Sequence, residues 1–307
     1  MLKKFHSLLI NLFLISTASA DNAAGSNISP YYSTTVFGKN YTYDPWPEAV
    51  SPSNVWWVPL EYSYQQDDAI QAIVKPITYP DGLQGYELTI GTKLQKITTS
   101  QFKLAQAVGR LTYKLKDRSN GYCTATHVGN GYVVTAGHCL DDPKLYPDTC
   151  KALQVEWNFR RSRNNFPQEP SPDLIGQCQE IISWAFKAGD ANTIDHAIFR
   201  VNNYPEAKVM IEPKPNLQTG DMVHQFSHPG AVPLVMAKNC TVTEIPFQYY
   251  QHDCWGASGS SGAALIDADT HKLIGILSMG SDQTFFSLRN DQSPIGSFDV
   301  EGGKISQ

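Results

Sequence analysis

An all-β fold is the expectation for this chain of 307 residues, and three observations carry it. From Val108 onward, apolar or alternating runs of four to eight residues recur, with the length and period of strands that bury one face. Gly, Pro, Asn and Asp fill the gaps between them, where the backbone must turn. The runs follow one another in many short pieces, which points to a sandwich or barrels and away from a parallel βαβ sheet.

Residues 1–20 read as a processing signal. Lys3 and Lys4 precede an apolar core from Leu8 to Ile15 and a small-residue stretch, Ala18-Ser19-Ala20, the pattern of a secretory peptide cleaved after Ala20. A bilayer span needs about 20 apolar residues. This run is shorter and no later one is long enough, so the expected mature protein is soluble, secreted and free of any membrane. Removing the peptide takes away two lysines and no acid, moving the formal charge from −5 to −7. A mildly acidic chain gives no electrostatic reason to expect nucleic acid. The densest basic cluster, Arg160-Arg161-Ser162-Arg163, reads as a solvated loop.

Residues 21–104 have a different character. They lack cysteine and are dense in Tyr and Trp, including Tyr31-Tyr32, Trp46 and Trp56-Trp57. Prolines between 45 and 60 argue against long helices, and YELTI at 86–90 suggests a strand. Aromatics at this density pack against something. The segment is either an extension packed on the main domain or a prosegment that masks a site until removed.

Residues 105–307 are expected to form the main domain, long enough for a substantial core. Its expected strands lie at 108–115, 122–128, 132–136, 153–159, 196–201, 222–226, 240–245, 263–266 and 272–279. Six cysteines, Cys123, Cys139, Cys150, Cys178, Cys240 and Cys254, favour disulfides in an exported chain. Six allow fifteen pairings, of which nearest-neighbour pairing keeps every bridge local and is the expectation. A zinc site is disfavoured because no pair has the tight spacing of structural sites, and no metal or other cofactor is expected.

Three local features converge on one chemistry. His138 ends an apolar run and follows Ala136-Gly137, whose small side chains leave room beside the imidazole; alone it would read as structural. Asp195 begins the apolar run HAIFRV, where a carboxylate entering the interior needs a partner, and an imidazole N–H suits it. Asp190 is the rival, without an apolar run directly after it. The loop Gly256-Ala-Ser-Gly-Ser-Ser-Gly262 lets the backbone turn tightly and aim N–H groups at one point, as an oxyanion requires. The chain order His, Asp, Ser is that of one known form of the catalytic triad.

TAGHC, DHAIF, GSSGAAL and GILSMG, in this order, resemble the trypsin-like serine endopeptidases of chymotrypsin fold, above all bacterial secreted members of the glutamyl-endopeptidase-like branch. CTATHVGNGYVVTAGHC is similar to that family's opening strand pair, with a Cys123–Cys139 disulfide. HPGAVPLVMAKNC (228–240) and HDCWGASGSSGAALID (252–267) resemble further segments. The likeness covers roughly residues 107 to 300. It implies two antiparallel β-barrels, about 105–210 and about 211–300, with the site in the cleft between them. It also implies Ser261 as nucleophile, His138 as general base, Asp195 orienting the imidazole, and an oxyanion hole from the N–H groups of Gly259 and Ser261. Ser278 would hydrogen-bond to Asp195, and Gly280 would pair with substrate backbone. Ser258 also fits GxSG, but only Ser261 is followed by Gly, two small residues and the apolar strand.

The departures from the family bear on specificity and activation. Ser260 stands where animal members carry the acid that pairs with the new N-terminus, so that switch is not expected. Leu277 replaces the histidine by which glutamyl-specific members read an acid. Trp255 lies near the expected pocket base, with Asp282 a conceivable opposite wall, and Ala125 replaces a glycine. The expectation is a secreted, monomeric endopeptidase acting on proteins or peptides. A catalytically silent binding module on the same fold is the alternative. A serine esterase of another fold would need the order Ser before His, which this chain contradicts.

Overall fold

The computed structural model describes residues 54–60, 68–78, 84–114, 120–160, 174–186, 194–245, 249–281, 284–289, 298–299 and 304–305. The expected signal peptide and the extension as far as residue 53 lie outside them. In chain order the elements that build the site are β1 (Val55–Trp57), β2 (Asp68–Thr78), β3 (Gln84–Lys96), α1 (Thr99–Gln106), β4 (Val108–Lys114), β5 (Asn120–Gly129), β6 (Tyr132–Thr135), the short α2 (Thr149–Ala152), β7 (Leu153–Trp157) and β8 (Ile175–Ala185). They continue with β9 (His196–Val201), β10 (Met222–Ser227), β11 (Val235–Glu244), β12 (Tyr249–His252), β13 (Ala264–Asp267), β14 (Leu273–Ser281) and β15 (Thr284–Arg289).

The first barrel closes in the order β4-β5-β6-β9-β8-β7, with β7 returning to pair with β4. Its strands show why the alternation in the sequence matters. In β7, Leu153, Val155 and Trp157 are buried while Gln154 and Glu156 lie on the other face, the two-residue period of a pleated strand. The β5–β6 hairpin turns through Gly129-Asn130-Gly131, all at positive φ, a conformation that Gly and Asn adopt at least cost.

The second group runs β10-β13-β14-β15-β12-β11, and β10 also pairs with β11. These six strands therefore come round into a ring. Beyond it, β1 joins the remaining edge of β11, followed by β2 and β3. All pairings among the named strands are antiparallel, and the two-barrel, all-β expectation is met.

Each barrel has its own apolar filling. The first is packed around Leu111, Val133, Val155, Trp157 and Phe199, the second around Val223, Val235, Leu265, Ile274 and Trp255. A third cluster joins the two, combining Val128, Val134 and Ile198 with Phe226, Leu234 and Ile266. Val58, Ile97, Phe102 and Leu104, all upstream of residue 105, belong to that shared cluster. The chain is tied there by polar contacts too, since Val58 N–H donates to Leu234 O at 3.0 Å.

Four features depart from the expectations. Arg160 is buried, 2% exposed, and is not part of a solvated loop. Its guanidinium lies 4.9 Å over the Phe102 ring and donates to Pro59 O and Asn158 Oδ1. Burial lowers it to about 10, so it stays charged at neutral pH. Arg161 and Arg163 lie outside the described residues. Strand β8 is absent from the expected set because Gln177, Gln179 and Glu180 interrupt its apolar pattern and point to solvent. β2 and β3 far outrun the expected strand at 86–90. Helix α1 is announced in the sequence by Thr98 and Gln101, which form a capping box: Thr98 Oγ1 accepts Gln101 N–H at 3.1 Å, and Gln101 Oε1 accepts Thr98 N–H at 3.0 Å.

The cysteines pair as nearest neighbours: Cys123 with Cys139, Cys150 with Cys178, Cys240 with Cys254.

Candidate active site

His138 stands in a one-turn 3₁₀ segment, Gly137–Cys139, that ends β6. The turn is pinned on three sides. Cys139 is bonded to Cys123 of β5, Trp184 Nε1 donates to Gly137 O at 2.9 Å, and a Cβ at Gly137 would collide with Ala185 O. Small residues before His138 therefore serve close packing as well as room.

Asp195, 4% exposed, enters β9 with three donors on its carboxylate. His138 N–H donates to Oδ1 at 2.8 Å and His138 Nδ1–H to Oδ2 at 2.7 Å. Ser278 Oγ, reaching from β14 of the second barrel, donates to Oδ2 at 2.6 Å. Burial favours the neutral acid, but the charge and hydrogen bonds of His138 and the Ser278 bond prevail, and Asp195 titrates below the usual carboxylate range. For His138, burial disfavours the cation, yet the Asp195 charge and hydrogen bond outweigh it and raise the imidazole above the ordinary histidine value. The side chain keeps 27% of its surface exposed, so one edge of the ring remains accessible. Phe186 packs near it, ring centres 5.7 Å apart.

Ser261 lies in the loop before β13, across the barrel junction. Thr124 N–H, from β5, donates to Ser261 O at 2.8 Å, and Gly262 N–H donates to Leu277 O at 2.7 Å, one residue from Ser278. A Cβ at Gly262, where φ is +79°, would strike Thr135 Oγ1 and Thr124 O, so only glycine lets the loop sit this close to the His138 strand. Ser260 is buried and its Oγ accepts Ala257 N–H at 3.1 Å, closing the loop on itself. The Ser258 carbonyl accepts Gly230 N–H at 2.5 Å. No hydrogen bond joins Ser261 Oγ to His138 Nε2 among the described contacts; such contacts tighten when substrate binds.

Gly259 and Ser261 carry the two N–H groups expected to bind an oxyanion, and among the described residues neither donates to a protein acceptor. Leu277 and Ser278 are buried on β14, and Gly280 on the same strand pairs with Phe285 of β15. Trp255 is packed within the second barrel's core, its carbonyl accepting Gln225 Nε2 at 3.0 Å. Asp190 and Asp282 lie outside the described residues. Cys123, His138 and Cys139 bring metal-type ligand atoms together, but both cysteines are consumed by their disulfide, and a thiolate is what a metal requires.

The structure adds two participants that sequence reasoning missed. Thr124 contacts the Ser261 loop at two carbonyls, and the His228-Pro229-Gly230-Ala231 turn backs the same loop. The latter segment was visible as part of HPGAVPLVMAKNC, without an assigned role. His228 is fully buried, donates through Nδ1 to Val232 O at 3.0 Å, and is pushed down to about 3, mainly by burial.

Two cooperating barrels with a His–Asp pair and a serine loop at their junction define the class. Residues 123–276 match the family model described as Trypsin-like peptidase domain; the chain belongs to this family. No curated protein sequence matches it significantly. Among solved structures it is similar to a Glu endopeptidase in complex with MPD, at 15% identity over 64% of this chain and 90% of that one, with a TM-score of 0.47. The active form of the Rv3671c protease from M. tuberculosis matches at 16% identity over 67% and 82%, TM-score 0.48. Protease Anisep from Arthrobacter nicotinovorans matches at 17% over 60% and 90%, TM-score 0.44. Family membership rests on the domain match and not on these likenesses.

Proposed function

We propose that this chain is an exported serine endopeptidase that cleaves peptide bonds through an acyl-enzyme intermediate, without a cofactor. Ser261 Oγ attacks the scissile carbonyl while His138 Nε2 takes its proton and then returns it to the leaving amine. Asp195 holds the imidazole in the Nδ1–H tautomer and stabilises its cation. The N–H groups of Gly259 and Ser261 receive the oxyanion. The observation that carries this reading is the array His138–Asp195–Ser278, in which a buried carboxylate with three donors fixes an imidazole whose other edge stays open. Three disulfides support an exporting route.

We also assign residues 54–104 to the mature protein. β1 is a strand of the second sheet, and Val58 and Phe102 fill the shared cluster, which supports a maturation cleavage upstream of Asn54.

A serine-directed fluorophosphonate tests the reading. It labels the secreted protein, and Ser261→Ala abolishes labelling while Ser258→Ala preserves it; the reverse pattern overturns the nucleophile assignment. A silent binding module on the same fold is the second reading, and folded protein that takes no label would select it.

A further inference from the structure

We infer that the Thr124 side chain is a positioning residue for the oxyanion hole: its hydroxyl, supplied by the first barrel, holds the Gly259 peptide of the second barrel in its productive orientation. This rests on the acyl-transfer reading of Ser261.

Thr124 is wholly buried in β5, directly after Cys123. Besides its pairing with Arg110 in the β4–β5 ladder, it makes four further hydrogen bonds among the described residues. Its N–H donates to Ser261 O at 2.8 Å and its carbonyl accepts Thr135 Oγ1 at 2.7 Å. Its hydroxyl donates to Gly259 O at 3.0 Å and accepts His228 N–H at 2.9 Å. The polarity of the hydroxyl is not adjustable, because a carbonyl oxygen can only accept and an amide N–H can only donate. One hydroxyl therefore links the His228–Ala231 turn to the Gly259 carbonyl with a single possible proton position.

The same turn holds the preceding peptide. Gly230 N–H donates to Ser258 O, and in a trans peptide the next N–H, that of Gly259, points opposite to that carbonyl. Gly259 has φ of +88°, and a Cβ there would lie 2.8 Å from both Gly230 N and His228 O, so the loop and the turn are in direct backbone contact. With Ser258 O, Gly259 O and Ser261 O each held by a donor, the Gly259 N–H is directed away from the turn, and among the described residues neither it nor the Ser261 N–H has a protein acceptor. Rotation of the 258–259 peptide would have to break the Gly230 bond, and the Thr124 hydroxyl opposes it through the adjacent Gly259 carbonyl. A strand threonine thus controls where the oxyanion donors point.

The test uses the full secreted chain with Thr124→Val, which keeps the backbone and shape but removes the hydroxyl, and Thr124→Ser, which restores it. Thr124→Ala serves in place of the valine variant should that fail to fold. With active sites titrated, the hydroxyl-free variant is expected to lose about 10- to 100-fold in kcat, less than the loss from deleting an oxyanion donor outright, with KM changed by less than about threefold. Affinity for a peptide aldehyde, whose tetrahedral adduct uses the same donors, is expected to fall in parallel with kcat/KM, and the serine variant to recover most of both. A folded valine or alanine variant with wild-type kcat overturns the inference. So does a kcat loss without loss of aldehyde affinity, or a serine variant as impaired as the valine one. Wild-type protein inert to fluorophosphonate and to substrate defeats the acyl-transfer reading itself, an outcome distinct from an active enzyme indifferent to Thr124.

Discussion

Replacing Asp195 with asparagine isolates what the carboxylate does, because the structure dictates how the amide must sit. Two positions are available for its oxygen. His138 N–H donates to Oδ1 at 2.8 Å, and a backbone N–H cannot accept, so the amide oxygen takes the Oδ1 place and the NH2 group takes that of Oδ2. There it faces His138 Nδ1 and Ser278 Oγ. The serine hydroxyl can rotate to accept, but the imidazole can satisfy an N–H only by presenting Nδ1 as a lone pair. The ring proton moves to Nε2, where it prevents His138 from taking the Ser261 proton. The variant also lacks the charge that stabilises the imidazolium. The expected loss in kcat is roughly 10³- to 10⁴-fold, equivalent to about 4–5.5 kcal/mol of transition-state stabilisation. The pH profile carries a second signature. In the wild type the Asp195 charge and hydrogen bond raise His138 above its ordinary value, so activity, which needs the neutral ring, falls on an acid limb above about pH 6.5. With the charge gone, burial alone acts and the limb moves to lower pH. Steady-state kinetics across pH, together with nitrogen NMR of the imidazole tautomer, measure both. An asparagine variant retaining more than about a tenth of wild-type kcat, or one with Nδ1 still protonated, would refute the reasoning.

Three further outcomes are expected. Trp57→Ala should destabilise the protein by about 3–5 kcal/mol, since Trp57 is buried in the second barrel's core; a denaturation midpoint within error of wild type would show that β1 is dispensable, as would a folded chain beginning after Pro59. Acid should destabilise the Ser261→Ala protein before any carboxylate titrates in the unfolded chain. Burial holds His196 and His224 down at about 4 and His228 and His252 at about 3, so below the unfolded histidine value near pH 6.5 the unfolded state binds more protons, and each residue removes up to roughly 1.4 kcal/mol per pH unit. Urea midpoints that stay level from about pH 7 to about pH 5 would contradict this. Ser278→Ala should lower kcat by about three- to tenfold through loss of one charge-assisted hydrogen bond to Asp195, with KM nearly unchanged; a change confined to KM would place Ser278 on the substrate side only.

Much of the candidate site could be proposed from sequence because its signals are local. His138 ends a strand, Asp195 begins one, and the Ser261 loop advertises itself through Gly259 and Gly262, which occupy positive φ. Disulfide pairing followed from proximity along the chain. β8 was not legible, because its glutamines and glutamate face solvent on an otherwise paired strand. Arg160 was misread since its partners, Phe102 and Pro59, come from segments far upstream.

Residue type and spacing pointed to the fold class and singled out His138, Asp195 and the Ser-Gly loop, while the role proposed for Ser261 came from the family resemblance; nearest-neighbour pairing was one of fifteen possibilities until the fold brought those cysteines together. Tertiary structure alone decided that β1 is woven into the second sheet, that a buried arginine sits over Phe102, and that Thr124 grips the Gly259 loop. The physical reason is range. A hydroxyl on an apolar strand is chemically silent until folding brings a carbonyl 135 positions away within 3.0 Å, and nothing in CTAT by itself records that partner.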